Sequence, residues 1–112
     1  MQTYQHYING QFIDPKAGVW FDTENPYTGE VWAKIPRGDA ADVDRAVAAA
    51  KAAFDGVWGQ TGPTQRGKLL VKLAEIIERE AVRLGEIEVR DNGKLIAEMG
   101  AQTKYLAEWY RY

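Results

Sequence analysis

A chain of 112 residues with 46% hydrophobic and 27% charged side chains has material for one small core, and its 14 Lys and Arg against 16 Asp and Glu argue against a surface built to neutralise nucleic-acid phosphates. It contains no cysteine, no serine and a single histidine, so disulfides, thiolate metal sites, cysteine nucleophiles and serine triads are excluded within it. No apolar run approaches the ~20 residues of a membrane span, and Met1-Gln2-Thr3-Tyr4 opens no basic-then-apolar leader, so a cytoplasmic address without membrane partners is expected.

The first 36 residues read as strands and turns. In Tyr7-Ile8-Asn9-Gly10-Gln11-Phe12-Ile13 the Asn9-Gly10 pair can take the positive φ of a two-residue type I′ turn, which predicts a β-hairpin. Asn25-Pro26-Tyr27-Thr28-Gly29 is a second turn signal, set between Trp20-Phe21-Asp22-Thr23 and the alternating run Glu30-Val31-Trp32-Ala33-Lys34-Ile35. From Arg37 onward the period becomes helical. Asp39 is a good N-cap with Asp42 three residues on, and Val43, Ala46, Val47, Ala50 and Phe54 form an apolar stripe that ends at Asp55-Gly56.

A loop over Val57 to Gly62 leads to a longer helix starting near Pro63 or Thr64, with Leu69, Leu70, Leu73, Ile76 and Ile77 at helical spacing. A break is expected near Glu80-Ala81, then a helical continuation to Asp91-Asn92-Gly93-Lys94, where Gly93 suits a C′ position. The last segment, Gln102 to Tyr112, places Tyr105 and Trp109 at i,i+4 on a further helix that carries no stop signal, so the chain reads as interrupted. The resulting division is a β-hairpin and strand region over 1–36 and a helical region over 37–112, both parts of one incomplete domain.

Chemical motifs are few. Gly62-Pro63-Thr64-Gln65-Arg66-Gly67-Lys68 has the spacing of a phosphate-binding loop, but Leu69 stands where a hydroxyl should hold Mg²⁺, Pro63 lacks an N–H, and no strand precedes it; a helix start explains it better. Asp39, Asp42 and Asp44 fit helix capping better than a metal cluster, and His6 reads as an exposed residue of a terminal segment. Trp58, Tyr105, Trp109, Tyr110 and Tyr112 read as packing residues rather than a base-stacking platform. No catalytic constellation is complete.

In order, Tyr7-Ile8-Asn9-Gly10, Asn25-Pro26-Tyr27-Thr28-Gly29-Glu30-Val31, the stretch from Gly38-Asp39-Ala40-Ala41-Asp42 to Ala50, Trp58, Arg66-Gly67-Lys68-Leu69-Leu70, Asp91-Asn92-Gly93-Lys94 and Tyr110-Arg111-Tyr112 resemble the N-terminal segment of the NAD(P)-dependent aldehyde dehydrogenase superfamily. The resemblance spans essentially the whole chain. It implies an α/β fold, in which β-hairpins followed by three or four helices form the first part of a coenzyme-binding domain; alone, the chain would be an α+β fragment. It also implies an oxidoreductase that converts an aldehyde to a carboxylic acid by thiolate attack, hydride transfer to NAD or NADP and hydrolysis of the thioester.

The catalytic cysteine and the dinucleotide-binding residues would lie in the remainder of a longer enzyme, so no catalytic or cofactor-binding residue falls in this stretch. By the same resemblance Tyr105 and Trp109 would line the aldehyde entry tunnel, and backbone oxygens at Thr23 and Glu24, with Asp91, would hold a monovalent cation. The whole enzyme would be a homodimer or homotetramer. The competing reading is a free-standing, non-enzymatic α+β interaction module that pairs through its aromatic helix.

Overall fold

A computed structural model describes residues 1–112. The chain forms two compact units, one comprising 1–24 and 30–60, the other 25–29 and 61–112. Strands give way to helices between Pro36 and Ala40, as the change of period predicts.

In the first unit, β1 (Gln2–Thr3) runs parallel to β5 (Glu30–Pro36), with Gln2 opposite Ala33 and Thr3 opposite Lys34, and β4 (Trp20–Asn25) lies on the other side of β5. Ala33, at the centre of this sheet, is fully buried. The Trp20 indole donates to the Tyr4 carbonyl at 3.2 Å, and Tyr4 and Trp32 meet edge to face, so the aromatic side chains brace the short β1 strand. The predicted hairpin is present: β2 (His6–Ile8) and β3 (Gln11–Ile13) pair antiparallel across Asn9 and Gly10, whose φ values of 53° and 75° are those of a type I′ turn.

Helix α1 (Ala40–Asp55) begins with a complete capping box: the Asp39 carboxylate accepts from the Asp42 N–H at 3.0 Å, and the Asp42 carboxylate accepts from the Asp39 N–H at 3.3 Å. Asp42 is 3% exposed and also accepts from the Lys16 N–H at 3.1 Å, tying the segment after β3 to the helix start. Of the predicted stripe, only Ala46 is half-buried; Val43, Val47, Ala50 and Phe54 are exposed. The covered face is Ala41, Asp42, Ala46 and Ala49, because these small residues, with the Asp42 anchor, let the helix lie close to β2.

The expected loop after α1 is instead a single helical turn, α2 (Val57–Gln60). His6, expected to be exposed, has a side chain only 21% accessible, because pairing with β3 turns it toward Asp42 and the Gly38 backbone.

The acid behaviour of the first unit follows from Asp42. Burial opposes its ionisation, but the Lys16 and Asp39 amides, His6 and Arg45 together outweigh that and hold the carboxyl below the usual carboxylate range. Since the folded state lowers the value, the stabilisation is present above the unfolded value and is lost as the pH falls through the folded one. Acid titration followed by circular dichroism should therefore show a steeper loss of stability below about pH 4 in the native protein than in Asp42→Asn; parallel curves would contradict this.

The second unit is built on α3 (Pro63–Asn92) and α4 (Ile96–Arg111). Gly62 occupies the N-cap of α3 and Pro63 its first turn, as the helix-start reading predicts. The expected break at Glu80-Ala81 is absent, and α3 runs uninterrupted for 30 residues. No proline or glycine stands at that point and Glu, Arg and Ala favour helix, so nothing local interrupts it; Ala81 is 5% exposed, on the side where α4 packs. The last helix starts at Ile96, six residues before the predicted Gln102.

Gly93 ends α3 in the left-handed conformation, φ 74°, with its N–H bonded to the Val89 carbonyl at 2.9 Å. A Cβ at Gly93 would stand 2.7 Å from Cγ of Pro26, in the turn where the Tyr27 N–H donates to the Asn25 side chain and the Gly29 N–H to the Asn25 carbonyl. Gly93→Ala is expected to cost about 1–2 kcal/mol for the backbone alone, with the contact on Pro26 added. Gly93→Asn should recover part of the backbone cost and none of the contact cost; thermal melts of the two variants measure the division.

Candidate functional site

The residues expected to face a ligand on α4 are placed by what the opposite side of that helix does. Met99, Thr103 and Ala107 recur every four residues and are all buried against α3, where Ala74, Ala81 and Gly85 form the facing row. At ~100° per residue, Tyr105 and Trp109 stand roughly opposite that seam. They are 61% and 69% exposed, and their rings meet edge to face with centroids 6.1 Å apart. With Ala101, Gln102 and Leu106 they line an open hollow of about 530 Å³, and a neighbouring hollow of about 370 Å³ adds Glu108, Arg111 and Tyr112. Both hollows lie on one helix face. The packing role expected of Trp58, Tyr105, Trp109 and Tyr112 is not met within the chain, since all four are exposed and only Tyr110 is half-buried.

Two polar devices hold that face in place. The buried Thr103 hydroxyl lies 3.0 Å from the Ala81 carbonyl of α3 and 2.7 Å from the Met99 carbonyl of its own helix, so its one proton serves either a cross-helix or a back-bonded acceptor. Arg111 bridges the two helices, donating to Glu78 at 2.7 Å and to Glu108. The hydrogen bond from Arg111 holds the Glu78 carboxyl below its ordinary range, and Glu78 and Glu108 in turn raise Arg111. Sequence reading missed this link, because residues 33 positions apart carry no periodic signal.

The residues expected at a cation site lie on two elements. Thr23, half-buried, and Glu24, exposed, lie on β4 in the first unit, whereas Asp91 is exposed in the last turn of α3 in the second. No group of three or more His, Cys, Asp or Glu side chains is arranged to hold a metal ion. The stretch from Gly62 to Lys68 opens a helix with Pro63 in its first turn, and the element before it is α2 rather than a strand, so its spacing lacks the strand–loop–helix setting of a phosphate-binding loop. No helix is long and apolar enough to cross a membrane.

Residues 12–112 match the model of the aldehyde dehydrogenase family. The chain belongs to that family. A dehydrogenase of Acinetobacter baylyi, named for (Z)-2-((N-methylformamido)methylene)-5-hydroxybutyrolactone, is 50% identical over all of this chain and 23% of its own length. An NAD-dependent aldehyde dehydrogenase of Sinorhizobium meliloti superposes with a TM-score of 0.95 at 34% identity, over 99% of this chain and 22% of that one. An aldehyde dehydrogenase of Bacillus cereus, solved as its NAD+ complex, gives 0.94 at 34% identity over 99% and 23%. This aldehyde dehydrogenase chain thus spans under a quarter of the length of these relatives and corresponds to the family's N-terminal segment. The Asn9-Gly10 hairpin, the Asn25–Gly29 turn, the capped α1 and the αL end of α3 are the parts of that segment visible in its motifs.

Proposed function

We propose that this chain is a scaffold segment of an NAD(P)-dependent aldehyde dehydrogenase that oxidises an aldehyde to a carboxylic acid, and that it is not competent alone. The observation that carries the reading is the match over the entire chain to a dehydrogenase more than four times as long. The chemistry of the chain agrees. It contains no cysteine to act as nucleophile, so that function falls to the remainder of the enzyme, which is its main partner; dinucleotide binding is assigned there by the family resemblance.

Its part is to present surfaces. Val47, Phe54, Tyr105 and Trp109 are each at least 60% exposed, an amount of outward apolar area that suits helices covered by further protein. In this reading Tyr105 and Trp109 face the path by which the aldehyde enters, supported by their outward placement opposite the α3 seam. The assignment of Thr23, Glu24 and Asp91 to a monovalent cation rests on the family resemblance alone. So do the assembly of the whole enzyme as a homodimer or homotetramer and its cytoplasmic address.

The test is to assay the 112-residue chain and a family-length protein carrying it, with aldehydes and NAD+ or NADP+, following absorbance of the reduced cofactor. The expected result is turnover by the long protein and none by the chain. Turnover by the chain alone, or a long protein inactive with every aldehyde tried, overturns the reading. The alternative of a free-standing interaction module predicts a monomeric chain with cooperative unfolding and no role for it in the long protein's turnover.

A further inference from the structure

We propose that His6 and Asp42 form a proton-operated latch that draws the β2–β3 hairpin onto the first turn of α1 when the imidazole is charged. The His6 Nε2 is buried, makes no hydrogen bond, and points at the Asp42 carboxylate from 3.6 Å, beyond hydrogen-bonding range. Gly38 leaves room for the ring, since a Cβ added there would lie 3.3 Å from Cε1 and 3.6 Å from Nε2. Asp42 cannot turn away, because its oxygens are already fixed by the Lys16 and Asp39 amides. The two groups are therefore aimed at each other and left just apart.

Protonation makes Nε2 a cationic donor facing a buried anion. Such N⁺–H···O⁻ bonds close to about 2.7–2.9 Å, so the N···O gap would shorten by roughly 0.7–0.9 Å, shared between the imidazole and the hairpin that carries it. Histidine is the side chain whose charge ordinarily changes between about pH 5 and 8, whereas Asp42 stays ionised there.

The other charged groups around the pair set its strength. Arg45, 3.8 Å from the second Asp42 oxygen, and the positive end of α1 oppose a second cation, while the Asp39 carboxylate at the N-cap favours it. Lys16 contributes its amide, and Asp14, beyond β3, is engaged by Gln5 at 2.7 Å. The pair lies wholly in the first unit and does not depend on the proposed enzymatic role.

Hydrogen–deuterium exchange on the intact protein, corrected for intrinsic rates, tests the latch by comparing pH 5.5 with pH 8.0. Protection of the peptides covering 5–13 should rise several-fold at the lower pH in the native protein, with no such change in the α3 peptides around 74–85. The rise should vanish in His6→Gln, which keeps a polar side chain in β2, and in Asp42→Asn. A native protein with no rise overturns the proposal, whether or not the variants fold, and so does a rise of the same size in His6→Gln.

Discussion

Gly85→Leu is expected to part α3 from α4. A Cβ at Gly85 already stands 3.3 Å from Oγ1 of Thr103, 3.5 Å from the Met99 carbonyl oxygen and 3.6 Å from the Gly100 nitrogen, so the remaining three carbons of leucine meet the α4 backbone itself. Overpacking ordinarily costs about 1–3 kcal/mol, and opposition by backbone rather than a movable side chain places this site at or above the upper end. Gly85→Ala is the control. Alanine gains about 1 kcal/mol of helix propensity over glycine and leucine nearly as much, so the difference between the variants reports packing alone. Thermal unfolding should place Gly85→Leu well below Gly85→Ala, at about 4–8 °C per kcal/mol for a domain of this size. Equal melting temperatures would mean that α4 does not lie on Gly85.

Met99→Ala should cost about 2–5 kcal/mol, the range for emptying a large buried apolar site. Met99 is 1% exposed and is the one large side chain fully enclosed in the chain. The other buried positions of the seam, Ala74, Ala81, Gly85, Thr103 and Ala107, are small, so none has atoms to swing into the space left behind. Urea unfolding should show a lower midpoint with an unchanged slope, and Met99→Leu, which nearly conserves volume, should cost less than about 1.5 kcal/mol. A Met99→Ala midpoint equal to the native one would show that the seam collapses without penalty.

What was legible in the sequence was chemistry acting over a few residues. Asn9-Gly10, the Asp39–Asp42 box and Gly93 each announce a backbone conformation that their own atoms demand, and each is found there. The break expected at Glu80-Ala81 had no proline or glycine behind it, and Glu, Arg and Ala all favour helix, so local propensity already runs α3 through; what the sequence does not show is that α4 covers Ala81. His6 failed for the same reason: its surroundings come from β3, Gly38 and α1, none adjacent in sequence. The stripe of α1 was read correctly as apolar, but periodicity says which residues share a face and not whether this chain supplies the cover.

The outward apolar faces also carry a consequence in time. On the proposed family-length chain this segment is the first quarter made, and at ~5–20 residues per second the rest takes roughly 20–80 s to follow. Through that interval Val47, Phe54, Tyr105 and Trp109 meet water rather than their eventual neighbours. Chaperone engagement of the nascent chain should begin once α1 has emerged and last until the later polypeptide arrives, so demand for it should fall when serine or glutamate replaces Phe54 and Trp109.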